Sequence, residues 1–309
     1  MCESADAKEW KLRCRARRYW PLAGLTLTLP GASRPYHIAQ PAFPDDLLDE
    51  LAARSHRGAR PRRSSNPHFS GHPVLRAAAV EAHQKVDSGG HLPYWGLLWP
   101  SGLALAEELL RATLTSAEGS LHRDMRARQA ALLPSGSESK LASPVAPRGD
   151  GPGVRSLHSL ELVCGLGVTA TAALDSGLTL TAADCFPEAL AFCRYNTQRN
   201  MGRTPTTWLV DWRTEAGRAA LALAAPYDLL LAADVLYEEP DIALLLDLAP
   251  RLVGSGGQFC LAEPGRRVSL KFVEEARARG WKDTPTVHER LWPPDGDYAR
   301  VTIHQFVVA

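Results

Sequence analysis

The sequence has little of three things that would each settle its class. It has no surplus of one charge: 35 Lys and Arg stand against 34 Asp and Glu, a net charge of +1. A protein that grips a phosphate backbone draws affinity from a positive field, so nucleic acid is not an expected partner. It also has no clean apolar run of roughly 20 residues, the length a bilayer core requires. The longest apolar reach, 219–236, is interrupted by Pro226, Asp228 and Asp234, so no membrane span is expected. Finally, Cys2, Cys14, Cys164, Cys185, Cys193 and Cys260 are scattered, with no Cys-x-x-Cys pair and no His at metal-ligand spacing. Reduced thiols and no metal are the expectation. The first residues, with Glu3, Asp6, Lys8, Glu9 and Lys11, contain no apolar stretch of the kind a secretory signal uses, so the expected location is cytoplasmic.

What is present is a chain of 309 residues, 45% hydrophobic, enough for one large core. Residues 1–63 hold 12 Lys or Arg against seven Asp or Glu, an excess that suits a solvated arm or an acidic partner surface. Leu25–Leu29 alternates with period two and predicts a short strand before the Pro30-Gly31 turn. Pro44-Asp45-Asp46 opens a short helix through Ala53, and 58–73 reads as loop. A further helix is expected from Ser101, as N-cap, through Arg111, with Leu103, Leu105, Leu109 and Leu110 as its apolar stripe beside Glu107 and Glu108. Residues 116–133 can form a helix, whereas 134–155 is dense in Pro, Ser, Gly and Arg and buries too little apolar area to offset its ordering entropy. The chain therefore divides into an accessory N-terminal extension over 1–91 and a domain over 92–309, interrupted by a flexible insert at about 113–156.

From Leu157 the pattern becomes regular. Apolar strand-like runs at 157–163, 178–183, 206–210, 227–233 and 258–262 alternate with helical patterns at 169–176, 187–198, 214–224, 242–252 and 270–279. Strands apolar on both faces, each followed by a helix, predict an α/β fold with a doubly wound, mostly parallel sheet. The rhythm breaks at 285–291 and 298–308, two strands in succession, which predicts an antiparallel hairpin closing one edge.

In such sheets ligands bind beyond the carboxyl ends of the strands, at the switch point. Glu161-Leu-Val-Cys-Gly165-Leu-Gly167 follows the first strand, and its glycines let the backbone approach a ligand ahead of a helix N-terminus. Asp184 ends the second strand, where a carboxylate can accept both ribose hydroxyl protons of an adenosine. Asp211-Trp212 ends the third, suited to an adenine amino group and ring face, and Asp234-Val-Leu-Tyr237 ends the fourth. Taken singly, each is as readily a turn, an N-cap or a core aromatic; the weight lies in four at the same ends of successive strands. Gly165-x-Gly167-x-x-Ala170 also satisfies the NAD fingerprint. Glu161 disfavours NAD, because an acid beside a pyrophosphate gains nothing, whereas it suits a cationic amino end.

Those strand-end motifs, with the closing hairpin, resemble class I S-adenosylmethionine-dependent methyltransferases. Leu92-Pro-Tyr-Trp-Gly-Leu-Leu-Trp99-Pro-Ser-Gly together with Asp234-x-x-Tyr237 is similar, more narrowly, to methyltransferase family 16, seven-β-strand protein lysine methyltransferases that include nicotinamide N-methylase-like members. The resemblance covers 92–112 and 157–309. It implies S-adenosyl-L-methionine as cofactor, held by Trp99, Glu161, Cys164, Gly165, Gly167, Asp184, Asp211, Trp212 and Asp234. It also implies Asp234 and Tyr237 as catalytic residues, with Trp99 and Trp95 walling the channel. The acceptor it implies is a lysine of a protein substrate, with a small heteroaromatic amine as the alternative and a monomer as the state. An NAD-dependent oxidoreductase and a non-catalytic methyltransferase-like interaction protein remain as other readings. One departure matters: the family's loop reads acid-x-Gly-x-Gly-x-Gly, and its first glycine is here Val163. A β-branched side chain is strained there if φ is positive, and otherwise crowds the cofactor.

Overall fold

Strands that are apolar on both faces must be covered on both faces, and the array from Leu157 meets that requirement with helices on either side of one sheet. The structure, a computed structural model, describes residues 22–42, 94–114, 157–293 and 296–308. The expected helix at 44–53, the loop at 58–73, and the helix and flexible insert of 116–155 lie outside those residues. In chain order the strands are β1 Leu22–Leu27, β2 Tyr36–Pro41, β3 His158–Leu162, β4 Thr179–Asp184, β5 Thr206–Leu209, β6 Tyr227–Ala233, β7 Val253–Glu263, β8 Lys282–Trp292 and β9 Asp297–Val307. The α-helices are α1 Pro100–Leu114, α2 Val168–Asp175, α3 Pro187–Met201, α4 Glu215–Leu221, α5 Glu239–Leu252 and α6 Arg267–Ala278.

β3 to β9 form one seven-stranded sheet in the order β5-β4-β3-β6-β7-β9-β8, and β1 pairs with β2 in a separate antiparallel hairpin. The strands from β5 to β7 are parallel. β9 pairs antiparallel with both β7 and β8, so the C-terminal hairpin closes one edge, as the uninterrupted pair of strand patterns predicts. The chain builds outward from β3 to β5, then returns to lay β6 on the other side of β3. The switch point is therefore the crevice between β3 and β6.

Side-chain alternation builds the core on each face. In β6, Leu229 and Leu231 join the layer under α1, α2 and α3, while Leu230 and Ala232 join the layer under α4, α5 and α6. α1 starts at Pro100, whose lack of an N–H suits the first turn, so Ser101 lies inside the helix rather than capping it. Glu107 and Glu108, which flank the Leu stripe as a polar face would, are both buried. The closing hairpin crosses over them: Arg290 pairs with Glu107, His288 lies 3.3 Å from Glu108, and Gln305 donates to Glu108 at 3.4 Å. Among the described residues no helix is long and apolar enough to cross a membrane.

The β1–β2 hairpin begins three residues before the strand read from the alternation and has a partner, β2, that no pattern announces. It is fastened to α3 by two side-chain amides that stand in for a neighbouring strand. Asn196 accepts from the Ala39 N–H at 2.8 Å and donates to the Ala39 and Leu166 carbonyls at 2.9 Å each. Asn200 accepts from the His37 N–H at 2.7 Å and donates to the His37 carbonyl at 3.0 Å. Asn196 thereby ties the hairpin to Leu166, inside the loop that follows β3. Asn196→Ala strands a buried backbone N–H and two carbonyls and should lower the unfolding free energy by about 3 kcal/mol. An equilibrium denaturation curve coinciding with that of the parent protein would contradict this account of the hairpin.

Candidate functional site

The switch point opens into a cleft of about 410 Å³, within the range that small-molecule sites occupy. Its walls come from the carboxyl ends of β3, β4, β5 and β6, and its rim from the segment holding Tyr94, Trp95, Leu97 and Trp99 just before α1. Asp184, Asp211, Trp212, Asp234, Tyr237 and Trp99, separated by up to 138 positions in sequence, all line it. Gly165 borders it too; Glu161, Cys164 and Gly167 lie behind that surface.

The loop after β3 turns through the left-handed region three times: Val163 has φ 61°, Gly165 49° and Gly167 77°. Gly165 is required by its backbone angle rather than by space, since a Cβ would make only ordinary contact with the Trp95 carbonyl at 3.5 Å. Gly167 does need its missing side chain for packing: a Cβ would meet the Cys193 Cα at 2.6 Å, so this glycine lets α2 seat closely against α3. Cys164 is buried, its N–H donating to the Ala183 carbonyl at 3.0 Å, and it serves to clamp the loop onto β4. Val163 is a cleft residue held at positive φ, so the strain foreseen for a β-branched side chain there is present. Asp234, at φ 52°, is the other non-glycine residue with positive φ among the described residues, and it lines the same cleft. Such outliers persist where surrounding structure over-determines them, and they gather at functional sites.

Beneath the loop, Glu161 is fully buried, with Oε2 lacking any hydrogen-bond partner. Burial pushes its carboxyl well above the usual range, while the neighbouring Thr169 hydroxyl pulls the other way. Asp184 is held by backbone donors: the Gly165 N–H reaches Oδ2 at 3.1 Å and the Phe186 N–H reaches Oδ1 at 2.9 Å. The Cys185 N–H is a further backbone donor to this carboxylate. Burial nevertheless dominates and pushes this carboxyl up to about 6. At the end of β5, Asp211 Oδ1 accepts from the Arg213 N–H at 2.9 Å, and Trp212 presents a buried indole whose Nε1 has no partner.

The β6 end is where the structure adds residues that strand-end reading passes over. Asp234 is held in a bidentate ion pair by Arg266, Nε to Oδ1 at 2.8 Å and Nη2 to Oδ2 at 3.0 Å. The same guanidinium lies over the Tyr237 ring, 5.2 Å from its centroid, and Tyr237 stacks on Tyr94 at 6.3 Å. Tyr94 is in turn edge-on to Trp99 at 6.0 Å, and its carbonyl accepts from Trp99 Nε1 at 2.9 Å. Trp95 is buried against Phe186 and Phe192, so it supports the rim from below. Arg213 also lines the cleft, 5.3 Å over Trp212 and 2.9 Å from Asp241. Arg266 follows the end of β7, so extending the strand-end rule to a fifth strand would have found it; Tyr94 carries no such signal.

The cleft thus has a buried acid on β4 and an indole on β5, with a carboxyl oxygen that lacks a hydrogen-bond partner buried under the glycine loop. The strain at Val163 makes a sign test. Glycine relieves a left-handed position that alanine does not, by about 1 kcal/mol. Val163→Gly should therefore melt at a higher temperature than Val163→Ala, the reverse of the order in an ordinary strand. The opposite order would show that the loop does not hold positive φ.

No protein-family model matches the chain. No curated protein matches it either. Among solved structures it is similar to an N-methyltransferase, NodS, from Bradyrhizobium japonicum WM9 in complex with S-adenosyl-L-homocysteine, at 14% identity and a TM-score of 0.38, covering 65% of this chain and 98% of that one. It is similar to precorrin-6y C5,15-methyltransferase from Geobacter metallireducens GS-15, at 16% identity and a TM-score of 0.40, covering 50% and 81%. It is also similar to a methyltransferase from Pyrococcus furiosus, at 17% identity and a TM-score of 0.39, covering 50% and 76%.

Proposed function

We propose that this chain is an S-adenosyl-L-methionine-dependent N-methyltransferase of the family 16 kind, acting on a lysine side chain of a protein. The observation that carries the reading is the convergence of Asp184, Trp212, Asp234 and Tyr237 on one cleft at the switch point, where the two strained non-glycine residues also lie. The cofactor, when bound, supplies a methyl group on a sulfonium, ready for in-line displacement by a neutral nitrogen. Asp184 accepts from the ribose hydroxyls, Trp212 lies against the adenine, and Asp211 takes its amino group. Glu161, whose buried oxygen has no partner, answers the ammonium of the amino-acid portion and becomes fully ionised by doing so.

Transfer of this kind rests on positioning in a dry site rather than on covalent machinery. A free lysine with a pKa near 10.4 is about 3.4 units from neutral at pH 7, a cost on the order of 4.6 kcal/mol that the site must lower. Tyr237 does not do this as a base: burial raises its phenol, so it stays protonated and shapes the acceptor's path as a hydrogen-bonding wall. The aromatic rim of Tyr94, Trp99 and Tyr237 also favours a second substrate reading, a small heteroaromatic amine, whose ring stacks on such a wall and whose nitrogen is already neutral at pH 7.

Two measurements follow. Because the ionised form of Asp184 accepts the ribose protons, cofactor affinity should hold at pH 7 to 8 and fall as pH drops through about 6. Asp184→Ala should bind at least tenfold more weakly at pH 7.5 by calorimetry. A flat pH profile with unchanged affinity in the variant would remove Asp184 from the site. Radiolabelled cofactor incubated with a cell extract should then label protein bands, where label in small metabolites would select the heteroaromatic amine. Asp234→Ala and Tyr237→Phe should each cut this labelling at least tenfold while still binding the cofactor; full labelling by both would reject their catalytic assignment.

A further inference from the structure

A bare carboxylate at the acceptor end of the cleft works against amine methylation. It stabilises an ammonium, holds the acceptor protonated and removes the lone pair that must attack. Asp234 occupies that end, is almost wholly buried and lines the cleft, so its charge is not dispersed by water. It is paired with Arg266, which is not among the residues lining the cleft and whose side chain is 39% exposed. The pairing is bidentate, at 2.8 and 3.0 Å, and the guanidinium is fixed a second time by the Tyr237 ring 5.2 Å away. The other charged groups on the cleft wall are Asp184, Asp211, Glu238 and Arg213. Of these, Asp184 and Asp211 lie at the ends of β4 and β5, Arg213 bonds to Asp241, and Glu238 is exposed to water at the N-cap of α5.

We infer that Arg266 is a positioning residue that masks the Asp234 carboxylate, so that this end of the cleft selects an acceptor nitrogen in its uncharged form. The inference rests on the cofactor reading above and deepens it. It names the acceptor's protonation state and a residue that sets it from outside the cavity. With the pair intact, the carboxylate still fixes the β6 turn and Tyr237, yet presents no net negative charge to the reacting nitrogen. An ammonium entering the same place meets a neutral pair and gains nothing.

The test needs no knowledge of the acceptor, because the cofactor and its product differ by one charge at this spot. S-adenosylmethionine carries a sulfonium, whereas S-adenosylhomocysteine carries a neutral thioether. Calorimetry on the full chain would give the ratio of their affinities for the parent protein, Arg266→Gln and Arg266→Lys. Unmasking Asp234 should shift the ratio towards the sulfonium by about tenfold in Arg266→Gln. Arg266→Lys, which keeps the charge but loses the bidentate geometry, should return it towards the parent value. A residue that merely props up the site would weaken both ligands equally, and an unchanged ratio in Arg266→Gln overturns the inference while leaving the cofactor reading intact. If the parent protein binds neither compound, the cofactor reading fails and this inference fails with it.

Discussion

Everything at the functional end of this molecule depends on gathering acids where a sheet would rather have none. Asp184, Asp211 and Asp234 are all nearly inaccessible to water, at the same ends of neighbouring strands, and Glu161 is buried under the loop between them. Burying a carboxylate is costly unless its oxygens are met, and like charges close together raise the cost. The fold offsets this in different ways: backbone N–H groups for Asp184, the Arg213 N–H for Asp211 and a bidentate guanidinium for Asp234. Glu161 is met least, with one oxygen unmatched. A structure with no use for these acids would have placed apolar side chains there at less cost.

The rim answers a different requirement. Tyr94, Trp99 and Tyr237 lean on one another and on the Arg266 guanidinium, so the mouth of the cleft is an aromatic wall braced by a cation. Asn196 links the N-terminal hairpin to Leu166, which sits between the two glycines of the loop. The accessory hairpin thus bears on the loop's position, although it contributes no residue to the cleft wall.

The parts of this arrangement legible in the sequence are those that repeat. β3, β4, β5 and β6 were readable because two-face burial makes continuous apolar runs, and their ends carried the acids in order. The closing hairpin was readable because two strand patterns followed without a helix. What was not legible depends on contacts between distant segments. β2 contains His37, Gln40 and Pro41 and shows no strand pattern, since its edge is satisfied by Asn196 and Asn200 rather than by another strand. Glu107 and Glu108 look like a solvent face until β8 supplies Arg290 and His288. Gly167 is legible as a loop glycine, but the close approach of Cys193 that also requires it is not. Arg266 stands just past the end of β7, where a fifth strand end could be read, but its pairing with Asp234 spans 32 positions and shows only in the fold.

The account comes down to which nucleoside this cleft accepts, since the glycine loop also satisfies a dinucleotide fingerprint. Thermal unfolding of the full chain with S-adenosylhomocysteine or with NAD, at equal concentration and pH 7.5, poses that question directly. The account predicts a raised melting temperature with S-adenosylhomocysteine and none with NAD; a rise with NAD alone would contradict it.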